Sequence, residues 1–459
     1  MFDPIEALKE YVSHSSVSTD SNHKKGMQGA RAFVTKHLQH LNFEVEIIET
    51  PLHPIILATH KTTKENAPHV LIYDHYDVQP ADPLDLWASE PFKPEVRGDR
   101  LFGRGAADNK GPFVAQLAAL TELLEKDKDF PLNITFLVEG EEEIGSPSFG
   151  DFLEKYKDRL SDADFIILSD TASPDTEQVA ITTALRGIVA FEIEVTGPNM
   201  DLHSGAYGGA VYNPIQALTE ICASLHDKDG RVNVPDFYDD VLEVFPWEKE
   251  ELDKLPTTND DLKDFLGVPA LYKQKGFTPL QAIRFLPTLE LNGIGGGYQG
   301  EGTKTVIPSK AFAKITCRLV PNQEPDKIKK LVMDAIKERC PKGVTVRESH
   351  KEHSGTPYLV VPPHRPNTPK DQPKILEKAF DAIDESVKAV FGKKPLYIRE
   401  GGSVPIIHKL KWATGLDSIM LGLYTPSDNL HAPNESFHLD MMKKGIEVYK
   451  KFLCSLAGV

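Results

Sequence analysis

Apolar runs of strand length alternate with helix-period segments along the first part of the chain. The runs "HVLIYD" (69–74), "NITFLVEG" (133–140) and "DFIILSD" (164–170) each have the length of a buried strand. Between the first two, "GPFVAQLAALTELLEK" (111–126) repeats its apolar positions with helical period. Strands that alternate with helices in this way predict an α/β sheet with both faces covered.

Helices are predicted at both ends of this region and again near the C-terminus. Asp3 and Pro4 have the residue types of an N-cap and a first helical position, so a helix is expected through His14. The other predicted helices cover 27–41, 372–391 and 440–456.

The pattern changes after Arg186. "GIVAFEIEVTGP" (187–198) alternates apolar and polar residues, as a half-solvated strand does. A further strand at 314–321 and a helix at 324–340 predict a smaller α+β domain in the middle of the chain. The predicted division is a discontinuous domain of residues 1–186 and 360–459 with residues 187–359 inserted.

Composition narrows the partners that we expect. The chain has 459 residues, more than a single hydrophobic core usually holds, so two domains are expected; 40% of the residues are apolar. With 52 Lys and Arg against 68 Asp and Glu, the net charge of −16 disfavours nucleic acid and membrane surfaces. The four cysteines lack C-x-x-C spacing, the N-terminus has no signal-peptide pattern and no apolar stretch would span a bilayer, so a cytoplasmic protein is expected.

Polar clusters follow the predicted strands. Since sites in open α/β sheets form beyond the carboxyl ends of strands, these clusters are expected to meet. Zinc accepts imidazole nitrogen and carboxylate oxygen, so a metal site is one interpretation. The candidates are His75 and Asp77, Asp108, the run Glu141 to Glu143, Asp170 and, late in the chain, His431.

Each cluster alone also has a structural explanation. The three glutamates could form a solvated loop, Asp108 could be the N-cap of the following helix and Asp170 could be a turn residue. A single histidine is more often a satisfied polar residue than a ligand. Their combination is much less easily accidental.

In order, these motifs resemble the dinuclear zinc exopeptidases, a group that includes carnosinases, aminoacylases and glutamate carboxypeptidases. The resemblance covers nearly the whole chain and is strongest to the cytosolic non-specific dipeptidase branch, through "HYDVQPAD", "DLHSGAYGG", "KTVIP", "RLVPN" and "REGGSVP". Asn109, where many relatives have Asp, and Ala432, where Ser is frequent, depart from the pattern without removing a ligand. The resemblance implies a phosphorylase/hydrolase-like zinc-peptidase catalytic domain, a mixed sheet covered by helices, with an inserted α+β lid and dimerisation domain.

The resemblance also implies two divalent metal ions per subunit, zinc first and manganese as the alternative. Asp108 would bridge them, His75 and Asp170 would complete one site, and Glu143 and His431 the other. Asp77 would hydrogen-bond His75 and fix its tautomer. Glu142 would be the general base that activates the metal-bridging water.

Substrate contacts are implied in the same way. His203 would stabilise the oxyanion from the partner subunit of a homodimer, and Arg318 would bind the substrate carboxylate. Thr305, Gly402, Ser403 and His431 would line the substrate site. Without the resemblance, Arg318 could equally be a surface pair and His203 a loop residue.

Three functions remain open on the sequence. The leading hypothesis is a metallo-dipeptidase that acts on dipeptides or short peptides with a free C-terminal carboxylate. A deacylase of N-acyl amino acids would use the same ligands and base. A non-catalytic metal-binding protein is the third, although it would not need Glu142 beside the ligands.

Overall fold

The computed structural model describes residues 2–272, 274–402 and 404–459, without the side chains of residues 351–353 and 405. Its strands are β1 (Glu44–Ile48), β2 (Ile55–His60), β3 (His69–His75), β4 (Glu95–Arg97), β5 (Arg100–Phe102), β6 (Asn133–Glu139), β7 (Phe165–Leu168), β8 (Ala180–Leu185), β9 (Gly187–Thr196), β10 (Leu202–His203), β11 (Thr288–Gly296), β12 (Val306–Ile307), β13 (Lys310–Leu319), β14 (Thr345–Gly355), β15 (Tyr358–Leu359), β16 (Leu396–Arg399), β17 (Ser418–Leu421) and β18 (Ser436–His438). Its α-helices are α1 (Pro4–Ser13), α2 (Lys24–His40), α3 (Gly111–Lys126), α4 (Phe149–Leu160), α5 (Ser204–Tyr207), α6 (Pro214–Ser224), α7 (Pro246–Leu252), α8 (Asn259–Leu266), α9 (Pro279–Phe285), α10 (Pro325–Glu338), α11 (Lys374–Phe391), α12 (Pro405–Thr414) and α13 (Leu439–Ala457).

The larger sheet is mixed and has nine strands. Its order is β1-β2-β6-β3-β7-β17-β8-β15, with β16 also paired to β8. The central strands β6, β3, β7 and β17 run parallel, which brings their carboxyl ends to one edge. In β3, Leu71, Ile72 and Tyr73 are fully buried, as expected for a strand covered on both faces. The predicted α/β fold is confirmed.

Helices complete the core around this sheet. Helix α13 packs against α3 and α11, and α12 packs against α4. Asp3 caps α1 by accepting hydrogen bonds from the amides of Ile5 and Glu6. None of the described helices is both long enough and apolar enough to cross a bilayer.

A second sheet of four antiparallel strands has the order β11-β13-β9-β14. Its central strand β9 buries alternate residues from Phe191 to Val195, as the sequence pattern predicted. Helices α6 and α10 pack against it. Arg186 alone separates β8 of the large sheet from β9 of the small one, and the chain returns to the large sheet at β15.

Not every residue between the two crossings contacts the small sheet. Helix α7 packs against β16 of the large sheet. There the carboxylate of Glu248 accepts two hydrogen bonds from the Arg399 guanidinium, at 2.7 and 2.8 Å. The division into residues 1–186 with 360–459 and residues 187–359 stays a prediction.

Candidate metal and catalytic site

The first group of predicted ligands lies at the carboxyl ends of adjacent parallel strands. His75 is the last residue of β3, and Asp170 follows β7 by two residues. The His75 Nε2 atom is 3.2 Å from Asp108 Oδ1 and 3.9 Å from Asp170 Oδ2. All three residues are buried.

The second group shares Asp108 with the first. Its other carboxylate oxygen, Oδ2, lies 2.9 Å from His431 Nε2, which is 3.4 Å from Glu143 Oε2. Glu143 follows β6, whereas His431 comes from the loop between β17 and β18 and has a positive φ of 58°. The Gln79 side chain donates to Glu143 Oε2 at 2.8 Å.

The donor atoms of both groups fit a pair of divalent cations. Within each group, the imidazole nitrogen and carboxylate oxygens all lie within 4.8 Å of one another. Burial and the neighbouring Asp108 carboxylate raise the pKa of Asp170 and Glu143 well above their usual range. Packed acids of this kind need added positive charge to ionise together, which two cations sharing Asp108 would supply.

Asp77 connects the ends of β3 and β6. Its carboxylate oxygens accept the amides of Glu142 and Glu143 at 3.3 and 3.1 Å. The His75 Nδ1 atom lies 3.1 Å from the Asp77 carbonyl oxygen and 3.5 Å from its carboxylate Oδ1. The Asp77 carbonyl therefore lies where it can orient the imidazole, and the Asp77 carboxylate holds the turn that carries Glu142.

Glu142 opens onto a cavity of about 250 Å³ together with Asp108, Asp170 and His431. Burial raises the pKa of Glu142 to about 7, and the Asp108 and Asp77 carboxylates act in the same direction. A carboxyl group with this pKa can both accept and donate a proton near neutral pH. The rest of the wall combines the apolar or aromatic side chains of Leu185, Val404, Tyr424 and Leu430 with Thr171, Ala172, Gly402 and the buried carboxyl of Glu400.

Glu435 is a buried carboxylate that the sequence reasoning missed. It accepts hydrogen bonds from the amides of Gly105, Ala107 and Asp108, at 2.8, 3.0 and 3.1 Å. It also pairs with the Arg104 guanidinium at 2.6 Å. Glu435, which lies four residues after His431, thus holds the turn that presents Asp108. Nothing local in the sequence separates it from a surface glutamate, since its partners are distant in the chain.

His203 and Thr305 lie together but away from this cavity. His203 ends β10 and Thr305 directly precedes β12, the two strands of a short ribbon; both residues are exposed, and the Ser204 amide donates to the Thr305 carbonyl at 3.0 Å. The His203 Nδ1 atom accepts the amides of Gly205 and Ala206 at 3.1 and 3.2 Å, so Nε2 carries the proton of the neutral ring. Neither side chain is among the described residues that line the cavity.

The remaining substrate candidates lie where the two sheets meet. Arg318 is on β13, and burial lowers the pKa of its guanidinium. Gly402 follows β16 and lines the cavity. Ser403 lies outside the described residues.

Comparison with known proteins agrees with this arrangement. Residues 71–455 match the family described as Peptidase family M20/M25/M40. The Cys-Gly metallodipeptidase dug1 of Schizosaccharomyces pombe is 32% identical, over 99% of this chain and 96% of its own. Human Beta-Ala-His dipeptidase is 30% identical, over 99% of this chain and 90% of its own.

A solved structure extends the similarity to three dimensions. The M20 family metallo-carboxypeptidase Sso-CP2 from Sulfolobus solfataricus is 30% identical, with a TM-score of 0.83 and full coverage of both chains. The resemblance seen in the motifs is thereby confirmed, and the chain belongs to peptidase family M20/M25/M40.

Proposed function

We propose that this protein is a metal-dependent dipeptidase, which hydrolyses dipeptides or short peptides with a free C-terminal carboxylate. The observation that carries the proposal is the sharing of Asp108 by two ligand groups, with Glu142 on the same cavity. A cavity of about 250 Å³ suits a substrate of two small residues. The names of the two curated relatives, which describe cleavage of Cys-Gly and β-Ala-His, agree with this substrate class.

His75, Asp108 and Asp170 would hold one metal ion, and Asp108, Glu143 and His431 the other. Zinc is the first choice for this mixture of imidazole and carboxylate, with manganese as the alternative. Two such ions polarise a scissile carbonyl and lower the pKa of water.

Glu142 moves the proton. As a carboxylate it takes a proton from the attacking water, and as the acid it returns one to the leaving amine when the peptide bond breaks. In the metal-free chain burial raises its pKa to about 7, and two bound cations would lower that pKa and favour the carboxylate form that accepts the proton. Asp77 keeps Glu142 in place through its hydrogen bond to the Glu142 amide.

The substrate carboxylate would bind Arg318, whose planar guanidinium can donate two parallel hydrogen bonds. Gly402, Ser403, Thr305 and His431 would line the rest of the substrate site. Because His203 is exposed on the ribbon, we infer that it acts on the cavity of a partner subunit in a homodimer. Its Nε2 proton would be donated to the oxyanion, since Nδ1 already accepts two amides.

The test is a hydrolysis assay on metal-stripped protein supplied with Zn²⁺ or Mn²⁺. Substrates are Cys-Gly, β-Ala-His, Ala-Gly, N-acetylalanine and an N-blocked tripeptide. Metal-dependent cleavage of the dipeptides, with N-acetylalanine untouched, is expected. Preference for N-acetylalanine would favour the deacylase hypothesis. Preference for the blocked tripeptide would indicate a carboxypeptidase. Inactivity of protein with two bound metals towards all five would contradict the proposal.

A cytoplasmic location stays a prediction. The four cysteines, Cys222, Cys317, Cys340 and Cys454, are free thiols, which is the usual state in a reducing compartment. Fractionation of cells that express the protein, followed by immunodetection, would test it.

A further inference from the structure

Arg186 binds the turn that lines one side of the cavity. Its backbone amide donates to the Gly402 carbonyl at 3.1 Å, and its Nε donates to the Gly401 carbonyl at 2.9 Å. A side chain at Gly401 would begin only 3.1 Å from Arg186 Nη2, so the guanidinium lies directly against that glycine. Two consecutive carbonyls of the turn are therefore fixed by one residue.

The same segment of chain leads directly to Arg318. Arg186 connects β8 to β9, and Ile188, two residues later, is the strand partner of Arg318 on β13. Burial and the nearby Arg318 charge lower the pKa of Arg186 to about 10. Residues 186–188 thus set the spacing between Arg318 and the Gly401–Gly402 turn.

Arg186 differs from a buried arginine with a purely structural role. Arg399 on β16 satisfies its guanidinium with the Glu248 carboxylate through two hydrogen bonds. Arg186 forms no such ion pair among the described residues, and its buried Nη1 has no hydrogen-bond partner there. Arg284 also has a buried nitrogen, Nε, without a partner among the described residues, so what sets Arg186 apart is its pair of hydrogen bonds to the Gly401–Gly402 turn.

We propose that Arg186 is a positioning residue for the substrate carboxylate. It holds the Gly401–Gly402 turn at a fixed distance from Arg318, so that backbone and guanidinium meet the same carboxylate. Its positive charge lies near that of Arg318 and near the carboxyl of Glu400, which also lines the cavity. The inference rests on the proposed function, since it assigns a role within the substrate site of the dipeptidase.

The experiment compares Ala-Gly with its C-terminal amide, which has the same scissile bond but no carboxylate charge. Steady-state kinetics are measured for the wild type, Arg186→Met and Arg186→Lys with both metals bound. Arg186→Met is expected to raise KM for Ala-Gly about tenfold and change kcat less than about threefold. The preference for acid over amide in kcat/KM should fall about tenfold. Arg186→Lys, which keeps the charge and one donor, should recover part of that preference.

Arg284→Met is the matched control. Arg284 lies in the same charged neighbourhood, but its Nη1 donates to Leu280 of its own helix. Arg284→Met should keep the preference for acid over amide in kcat/KM within about twofold of the wild-type value. If Arg186→Met fails to fold, Arg186→Lys alone decides, with an expected fall of at least about threefold.

Equal losses on acid and amide in the Arg186 variants would overturn the inference and leave the dipeptidase intact. A wild type that prefers the acid no more than the amide would overturn the carboxylate site itself. A wild type that cleaves neither Ala-Gly nor the other dipeptides would overturn the proposed function as well.

Discussion

Two parts of the molecule hold the candidate chemistry, and they differ in how much of it one chain completes. The ligand cluster around Asp108 is buried, and its donor atoms already face one another within a single chain. His203 and Thr305 are exposed, and neither lies among the described residues that line the cavity, although two backbone amides orient the His203 imidazole. In our proposal, the cluster is completed within one chain, whereas His203 requires a second chain.

This difference separates two kinds of dependence. The cluster combines His75, Glu143 and Asp170, which end or follow strands of the large sheet, with Asp108 and His431 from the connecting segments, so its integrity follows the folding of one chain. The ribbon's contribution depends, in our proposal, on the association of two chains. Substitutions in the two regions should therefore fail in different ways.

The largest effect is expected within the cluster. Glu142→Gln removes the proton acceptor but no metal ligand, so kcat for dipeptides should fall by about 10³- to 10⁴-fold. Two metals per chain should remain bound, as measured by elemental analysis. Activity within tenfold of the wild type would show that another group moves the proton.

A change in the ribbon should be the next largest. His203→Ala is expected to lower kcat about 10²-fold through loss of an oxyanion donor, with metal content unchanged. Mixed with Glu142→Gln protein under conditions of subunit exchange, it should regain activity, because each hybrid dimer contains one intact site. If exchange is verified by mass spectrometry and no activity returns, each chain acts alone and the comparison breaks.

Glu435→Gln should weaken the cluster without touching a ligand. Because Glu435 holds three amides of the turn that presents Asp108, metal affinity is expected to fall about 10- to 100-fold. Competition with a chelator measures it. Glu177→Gln, on an exposed loop, is the control. Unchanged affinity in Glu435→Gln would show that Asp108 is held by other contacts.

The last prediction concerns the pH dependence of stability rather than activity or metal binding. Burial raises the pKa of Glu139 to about 8, so the folded protein keeps its proton while the unfolded chain loses it near pH 4.5. Metal-free protein should therefore lose about 1.4 kcal/mol of unfolding free energy per pH unit between those values from this group. Below pH 4.5 Glu139 is protonated in both the folded and the unfolded chain, so it does not lower the free energy of unfolding there.

Denaturant unfolding of metal-free Glu139→Gln at pH 5 and pH 8 measures this slope. The variant should show a smaller loss than the wild type between the two pH values. Thr305→Val, which changes the ribbon and removes no titrating group, should retain the wild-type slope. A variant slope equal to that of the wild type would contradict the assignment to Glu139.

The residues of the cluster could be proposed from the sequence because most of them lie at the ends of short apolar runs, which can be recognised locally. The apolar runs that lead to His75 and Asp170 can be recognised as strands by their length and composition. Because the two strands pair in parallel, their carboxyl ends lie side by side. The predicted bounds of the helices also lie close to the observed ones: the pattern predicts a helix over 440–456, and α13 runs from Leu439 to Ala457. The family resemblance supplied the roles that the pattern left open.

What the sequence could not predict depends on distant contacts. Glu435 reaches the amides of the Asp108 turn only after folding, so its local sequence carries no signal. The hydrogen bonds from the Glu142 and Glu143 amides to Asp77 depend in the same way on β3 and β6 lying side by side. The exposure of His203 could not be predicted either, because it reflects a surface rather than a core.

The position of His431 and Glu435 near the end of the chain has a consequence for biosynthesis. The strands that carry His75, Glu143 and Asp170 emerge from the ribosome long before the segment that supplies the last imidazole and secures the Asp108 turn. During translation the group formed by Asp108, Glu143 and His431 therefore remains incomplete until residue 431 has been made.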